Sequence, residues 1–143
     1  MTAMTFQAAK QGFFDRAKVK NAVDAGTRRV LSRFGAFVRT RARTSIRKKK
    51  GTSPPGSPPY SHVGLLRKFI LFAYDPTRKS VVIGPTLIRA ESQAPRLLEH
   101  GGEAVRRTKT KTRRLRYRPR PFMGPAFEAE QQQLPALWKN SVR

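Results

Sequence analysis

The side chains that most often perform catalysis or bind metal are sparse in this sequence. There is no cysteine, and neither of the two histidines, His62 and His100, has a carboxylate at a spacing typical of a metal pair or a catalytic triad. Asp15, Asp24 and Asp75 lie far apart along the chain, which disfavours the grouped acids of a metal-dependent nuclease. We therefore expect no catalytic residue, no metal site and no cofactor, and we predict that the protein is not an enzyme.

Two further groups resemble functional motifs only weakly. Glu99 is adjacent to His100, but neighbouring side chains on a helix point apart, so Glu99 is predicted to form an ion pair or to cap a helix. Lys50-Gly51-Thr52 lacks the upstream glycine and the Gly-Lys-Ser/Thr order of a phosphate-binding loop. Neither group changes the prediction that the protein is not an enzyme.

Positive charge is the chemistry that this sequence does offer. Lys and Arg number 31 against 8 Asp and Glu, which gives a formal net charge of +23. Self-repulsion on that scale favours an anionic partner, but the charge alone does not distinguish nucleic acid from an acidic protein or an anionic membrane. The predicted contacts with DNA or a partner protein are Arg43, Arg47, Lys48, Lys49, Lys50, Arg106, Arg107, Lys109, Lys111, Arg113, Arg114 and Arg116.

All of them except Arg43 fall into two segments, a basic run at residues 47–50 and a basic arm at residues 105–120. The arm suits contacts with the DNA backbone or with an acidic neighbouring ring, and a solvated loop remains an alternative. Its single aromatic residue, Tyr117, gives little support for base stacking. For the basic run, an exposed face whose long side chains cover apolar surface is an equal alternative to partner binding.

A long amphipathic helix is predicted over residues 15–47. Its apolar residues recur mostly at spacings of four or seven, at Val19, Val23, Val30, Phe34, Val38, Ala42 and Ile46. Gly26 and Gly35 interrupt the pattern, each weakening a helix by about 1 kcal/mol relative to Ala. They therefore indicate close packing or a bend.

The remaining elements are shorter. An extended proline loop (residues 51–62) precedes two strands, residues 64–74 and 80–85, which form a predicted β-hairpin. Both faces of the first strand should be covered, one by the long helix and the other by another subunit. A short helix over residues 91–100, a turn at 120–125 and a C-terminal helix kinked or divided by Pro135 complete the prediction.

The candidate subunit interface combines the proline loop and the late turn. Phe122 and Met123 are expected to be packing residues, and exposure of either would indicate contact with a neighbouring subunit. The predicted interface residues are Pro54, Pro55, Pro58, Pro59, Tyr60, Phe122 and Met123.

We predict a single structural domain, residues 1–143, of the α+β class. A small antiparallel sheet packs on the long N-terminal helix, with an extended loop, a basic arm, a C-terminal helix and an N-terminal tail at residues 1–14. Only 38% of residues are hydrophobic, so neighbouring subunits are expected to supply part of the stability. No segment has the roughly 20 apolar residues of a membrane span, and the N-terminus does not resemble a secretion signal.

The order of these elements resembles that of the tail-completion or head-tail joining (neck) proteins of long-tailed bacteriophages and prophages. The resemblance covers roughly residues 15–140 and rests on SPPGSPPYSHVGLLRKFI, VVIGP, LLEHGG and RPRPFMGPAFE. In that family a PPGxPP loop before Gly-Leu, a Leu-Glu-x-Gly-Gly step and an Arg-Pro-Phe-Met-x-Pro-Ala turn occur in this order. Residues 105–118 depart from the family pattern in their high positive charge.

The resemblance implies a structural virion protein of the neck or head-proximal tail end, assembled in the host cytoplasm. Its implied partners are further copies of the chain in a ring, expected to be a hexamer, and neighbouring neck and tail proteins. DNA in the connector lumen is one of the two partners that the charge of the basic arm suits. The resemblance implies neither a membrane nor a small-molecule substrate. The alternative is a small basic nucleic-acid-binding protein similar to a ribosomal or chromatin component, which would bind nucleic acid with a steep salt dependence.

Overall fold

The computed structural model describes residues 15–86 and 93–142. The elements in chain order are α1 (Arg16–Ser45), α2 (Leu65–Lys68), β1 (Ile70–Asp75), β2 (Ser80–Pro85), α3 (Ala94–His100), β3 (Gly102–Arg107), β4 (Thr112–Tyr117), α4 (Met123–Gln131) and α5 (Leu134–Trp138). The predicted α+β class is confirmed. The antiparallel strands form two separate two-stranded sheets, β1–β2 and β3–β4. The predicted tail at residues 1–14 lies outside the described residues.

Helix α1 organises the core, as its apolar periodicity predicts. Asp15 caps its N-terminus by accepting a hydrogen bond from the Lys18 amide at 3.1 Å. The later part of the apolar stripe is buried and meets β1 and α4 through a cluster made of Phe34, Val38, Ala42, Ile46, Ile70, Phe122 and Ala126. The first two stripe residues, Val19 and Val23, are exposed, because nothing in the described chain covers that end of the helix.

The two glycines of α1 mark close packing. A Cβ atom on Gly35 would lie 2.8 Å from both the Phe72 ring and the Val81 side chain, so this glycine lets the β1–β2 sheet approach the helix. A Cβ atom on Gly26 would lie 3.0 Å from the carbonyl oxygen of Ser141. The prediction of close packing at these positions is confirmed.

The β1–β2 hairpin is present, but its first strand is shorter than predicted. The strand begins at Ile70, because the preceding residues form the short helix α2 instead. Ile70 is buried and Phe72 is half-buried against α1, whereas Leu71 and Ala73 on the opposite face are exposed. The predicted cover of one face by the long helix is therefore present, and cover of the other face by another subunit stays a prediction.

The C-terminal segment forms two helices, and proline determines where they divide. Pro135 lies in the first turn of α5, so the prediction that it divides the segment is confirmed. Helix α4 begins at Met123, so residues 123–125 belong to its first turn and not to the predicted turn. The helix packs on α1, where the Phe34 and Phe127 rings meet edge to face with centroids 5.6 Å apart.

Candidate functional site

Most of the few acidic residues are engaged within the fold. Two of them make ion pairs, Arg41 with Glu130 and Lys79 with Asp24. Three others accept backbone hydrogen bonds: Asp15 at α1, Asp75 in the β1–β2 turn, and Glu99 at the start of α4. Because these carboxylates already have partners, they do not neutralise the basic segments.

The ion pair between Asp24 and Lys79 joins α1 to the β1–β2 turn. The Asp24 carboxylate accepts a hydrogen bond from the Lys79 ammonium and raises the pKa of Lys79 above its usual value. The charged form of this lysine is therefore favoured in the folded chain. Both side chains are exposed, so water and salt weaken the attraction.

The basic run lies beside the proline loop. Arg47 forms an isolated parallel bridge with Tyr60, and its carbonyl oxygen accepts a hydrogen bond from the Ser61 amide at 2.9 Å. The Lys49 ammonium lies 5.4 Å from the centre of the Tyr60 ring, within the range of a cation–π contact. Arg47, Lys48, Lys49 and Lys50 are exposed, and Arg43 in the last turn of α1 is half-buried. The loop thus returns to the helix end from which it started.

The proline loop also contacts the segment that follows β4. The Gly56 amide donates to the Pro119 carbonyl oxygen at 2.9 Å, and the Arg120 guanidinium donates to the Ser53 carbonyl oxygen at 2.9 Å. Within the loop, Pro54 and Pro55 are exposed, Pro58 and Tyr60 are half-buried, and Pro59 is fully buried. Pro59 is therefore an internal packing residue and offers no surface to another subunit.

The late turn contributes to the core rather than to the surface. Phe122 is only 1% exposed and belongs to the main apolar cluster, while Met123 is half-buried and packs against it. The expectation that these are packing residues is confirmed, and Phe122 has no exposed surface to present to a subunit. A sequence cannot show this burial, because it depends on α1 and β1 meeting at the same place.

The basic arm adopts a hairpin. Strands β3 and β4 pair antiparallel over residues 102–117, which we call the basic hairpin. Its tip is closed by hydrogen bonds between Thr108 and Lys111, including Thr108 amide to Lys111 carbonyl at 2.8 Å. The alternation of Thr with Lys at residues 108–112 forms this tip, and only Thr112 belongs to a strand.

Seven predicted contact residues lie on this hairpin, and all of them are exposed: Arg106, Arg107, Lys109, Lys111, Arg113, Arg114 and Arg116. The hairpin contacts the rest of the described chain chiefly near its root, beside α3. None of the seven side chains makes an ion pair with an acidic residue in residues 15–86 or 93–142. Their charge is thus available to a partner.

The proline loop meets the root of the basic hairpin. A cleft of about 480 Å³ lies between the proline loop and this root. Three arginines at every second position of the sequence line the cleft: Arg116, Arg118 and Arg120. Of these three arginines, only Arg116 was predicted from the sequence to contact a partner. The sequence feature that points to Arg120 is its position between Pro119 and Pro121. These prolines restrict the backbone at the point where the Arg120 side chain reaches the Ser53 carbonyl oxygen.

The described residues also bear on metal binding and on membrane crossing. Residues 15–86 and 93–142 contain no cluster of three or more His, Asp or Glu side chains that could hold a metal ion. No helix in that part of the chain combines the length and the apolar character needed to cross a bilayer.

Comparison with family models, with curated proteins and with solved structures finds no significant match for this chain. The resemblance to phage neck proteins therefore remains a prediction that rests on the motifs quoted above.

Proposed function

We propose that the chain is a structural subunit that assembles with copies of itself into a ring in the neck or head-proximal tail end of a long-tailed phage. In that ring it takes part in tail completion and head-tail joining. The order of the quoted motifs supports the family, and the uncovered face of the β1–β2 hairpin supports the self-assembly. The latter observation carries the proposal.

The uncovered face is apolar and free of basic residues. Leu71 is 44% exposed and Val82 is 65% exposed, and the cross-strand register places Val82 opposite Ala73 on this face. Neither β1 nor β2 contains a Lys or an Arg, although the chain as a whole has 31 of them. Copies that carry so much positive charge repel each other, so association is most favourable where that charge is absent.

The edges of this sheet also favour association between copies. Each strand of β1–β2 has one partner in the described chain, so each has one edge with unpaired backbone groups. A strand or loop from a neighbouring copy can complete such an edge and cover the apolar face at the same time. The association would bury apolar area that stabilises at about 25 cal/mol per Å² before the costs of binding.

Replacement of Val82 tests self-assembly. Val82→Arg places a positive charge on the uncovered face, and we expect it to convert the oligomer into a monomer with unchanged circular dichroism. Val105→Arg is the matched control, because Val105 is also an exposed strand valine, 54% exposed, but lies on the other hairpin. Native mass spectrometry over a range of concentrations measures the assembly state.

Two results would contradict self-assembly through this face: a wild-type chain that stays monomeric at every concentration, or an oligomer that survives Val82→Arg. Location in the virion is tested separately by mass spectrometry of purified phage particles, where absence of the chain would exclude a neck role. A freestanding nucleic-acid-binding protein, the alternative, has no need of an uncovered apolar face.

A further inference from the structure

The charges of the basic hairpin lie on both of its faces. Successive residues of a strand point to opposite sides, so Arg106 and Arg113, which are cross-strand partners, share one face. Arg107 and Arg114 point to the other face, and the tip carries Lys109 and Lys111. The outer half of the ribbon is therefore positive on every side.

This arrangement is unfavourable for an isolated hairpin. Like charges directly opposite each other destabilise a pair of strands, and a two-stranded hairpin alone is marginally stable in water. The only acidic residue in the two strands, Glu103, lies opposite Arg116 near the root and not at the tip. The outer half thus needs anions on both faces from outside the described chain.

The root of the hairpin, by contrast, is firmly attached. Gly101 and Gly102 enter β3 with φ angles of 72° and 131°, and a Cβ atom on Gly101 would lie 2.9 Å from the Tyr117 carbonyl oxygen. After β4, the Arg120 amide donates to the Leu98 carbonyl oxygen at 2.6 Å. A hairpin with a fixed root and an exposed, positively charged tip is suited to insert between two negatively charged surfaces.

We propose that the outer half of the basic hairpin binds double-stranded DNA by entering the major groove, where its two faces meet the phosphates of the two groove walls. The B-DNA major groove is about 12 Å wide and admits a two-stranded β-ribbon. An acidic protein surface would neutralise one face and leave the other facing solvent. Charge on both faces therefore favours a groove over a flat surface. This inference goes beyond the assembly role and holds equally for a single copy.

The absence of stacking residues determines how the ribbon would bind. Tyr117 is the only aromatic residue in the two strands, and it lies at the root opposite Gly102. Contacts from arginine and lysine to phosphate carry no sequence information, so binding should depend strongly on salt and little on sequence. We expect the same affinity for duplexes of different sequence.

The test uses the full chain and a fluorescent DNA duplex of about 20 base pairs, about two helical turns, with anisotropy measured over a salt series. Arg113→Gln combined with Arg114→Gln removes one cation from each face. We expect binding at least about ten-fold weaker and a salt slope reduced by about two, one for each phosphate contact. Lys18→Gln combined with Lys20→Gln is the matched control, since it removes the same charge from exposed positions of α1 and should leave the slope unchanged.

Two further probes distinguish the groove and the class of partner. Guanine N7 lies in the major groove, so bound protein should protect it from methylation by dimethyl sulfate. An RNA duplex of the same sequence has a deep, narrow major groove that excludes the ribbon, so its binding should be at least about ten-fold weaker.

An equal loss of affinity in the α1 control, unprotected N7 atoms, or equal affinity for the RNA duplex would each overturn the proposal. Tighter binding to polyglutamate than to DNA would do the same and would identify an acidic protein as the partner. The hairpin variants should keep the assembly state of the wild-type chain. A failure of DNA binding is therefore distinguishable from a failure of ring formation.

Discussion

Glu99 shows how much of this fold depends on one carboxylate. It lies in α3, yet its two oxygens accept hydrogen bonds from three consecutive backbone amides at the start of α4: Phe122 at 2.9 Å, Met123 at 3.0 Å and Gly124 at 2.7 Å. These amides have no partner within their own helix, and the negative charge also favours the helix N-terminus. Glu99 therefore links α3, which precedes the basic hairpin in the chain, to the start of α4, which follows it.

We predict that Glu99→Ala lowers the free energy of unfolding by about 2 kcal/mol, because three partly buried amides lose a charged acceptor. Urea denaturation measures the change. Glu128→Ala is the control, since Glu128 is exposed on α4, the helix that Glu99 caps, and carries the same charge. An equal effect of the two substitutions would show that the cap contributes nothing beyond charge.

At the scale of elements, the two hairpins are opposites. The β1–β2 hairpin packs one face on α1, with Ile70 fully buried, and lacks basic residues. The β3–β4 hairpin has no buried residue and is densely positive. The first is stabilised by the core of its own chain, whereas the second is stabilised mainly by its backbone ladder and its attachment at the root.

This contrast predicts different rates of hydrogen exchange. Amides of β3–β4 should exchange at least about ten-fold faster than those of β1–β2. This ratio corresponds to a free energy of local opening that is lower by about 1.4 kcal/mol. Mass spectrometry of exchanged peptides compares the two hairpins within one sample. Addition of duplex DNA should slow exchange in β3–β4 alone, and equal protection of both hairpins in the free chain would refute the contrast.

At the scale of the whole molecule, the net positive charge destabilises the compact folded state. The net charge is +23, and the described acids that could offset it locally are mostly engaged in caps, turns and ion pairs. Self-repulsion therefore lowers the stability of the isolated chain, and a bound polyanion would remove that penalty. The charge and the thin core both favour a protein that is most stable inside an assembly.

We predict that the isolated chain becomes more stable as salt is added, by about 1 kcal/mol or about 3 °C in the thermal midpoint, because salt screens repulsion. Differential scanning fluorimetry in sodium chloride measures the shift. Sucrose serves as the control, since it strengthens burial without screening charge. A midpoint that falls with sodium chloride would mean that attraction, not repulsion, dominates the surface charges.

The sequence by itself determined the features that depend on neighbouring residues. The apolar periodicity predicted α1, the two strand patterns predicted the β1–β2 hairpin, and Pro135 predicted a kink or a division of the C-terminal helix. These features follow from backbone geometry and hydrogen bonds within a few residues. They could be predicted because they do not depend on residues that are distant in the sequence.

The tertiary structure alone decided which surfaces are covered. It buried Phe122 and Pro59, left Val82 exposed, and placed Glu99 against amides 23 residues later in the chain. It also joined the proline loop and the hairpin root at one cleft, and it paired Arg47 of the basic run with Tyr60 of the loop. Burial is a property of pairs of elements that meet in space, and the same apolar residue is core or interface according to what packs on it.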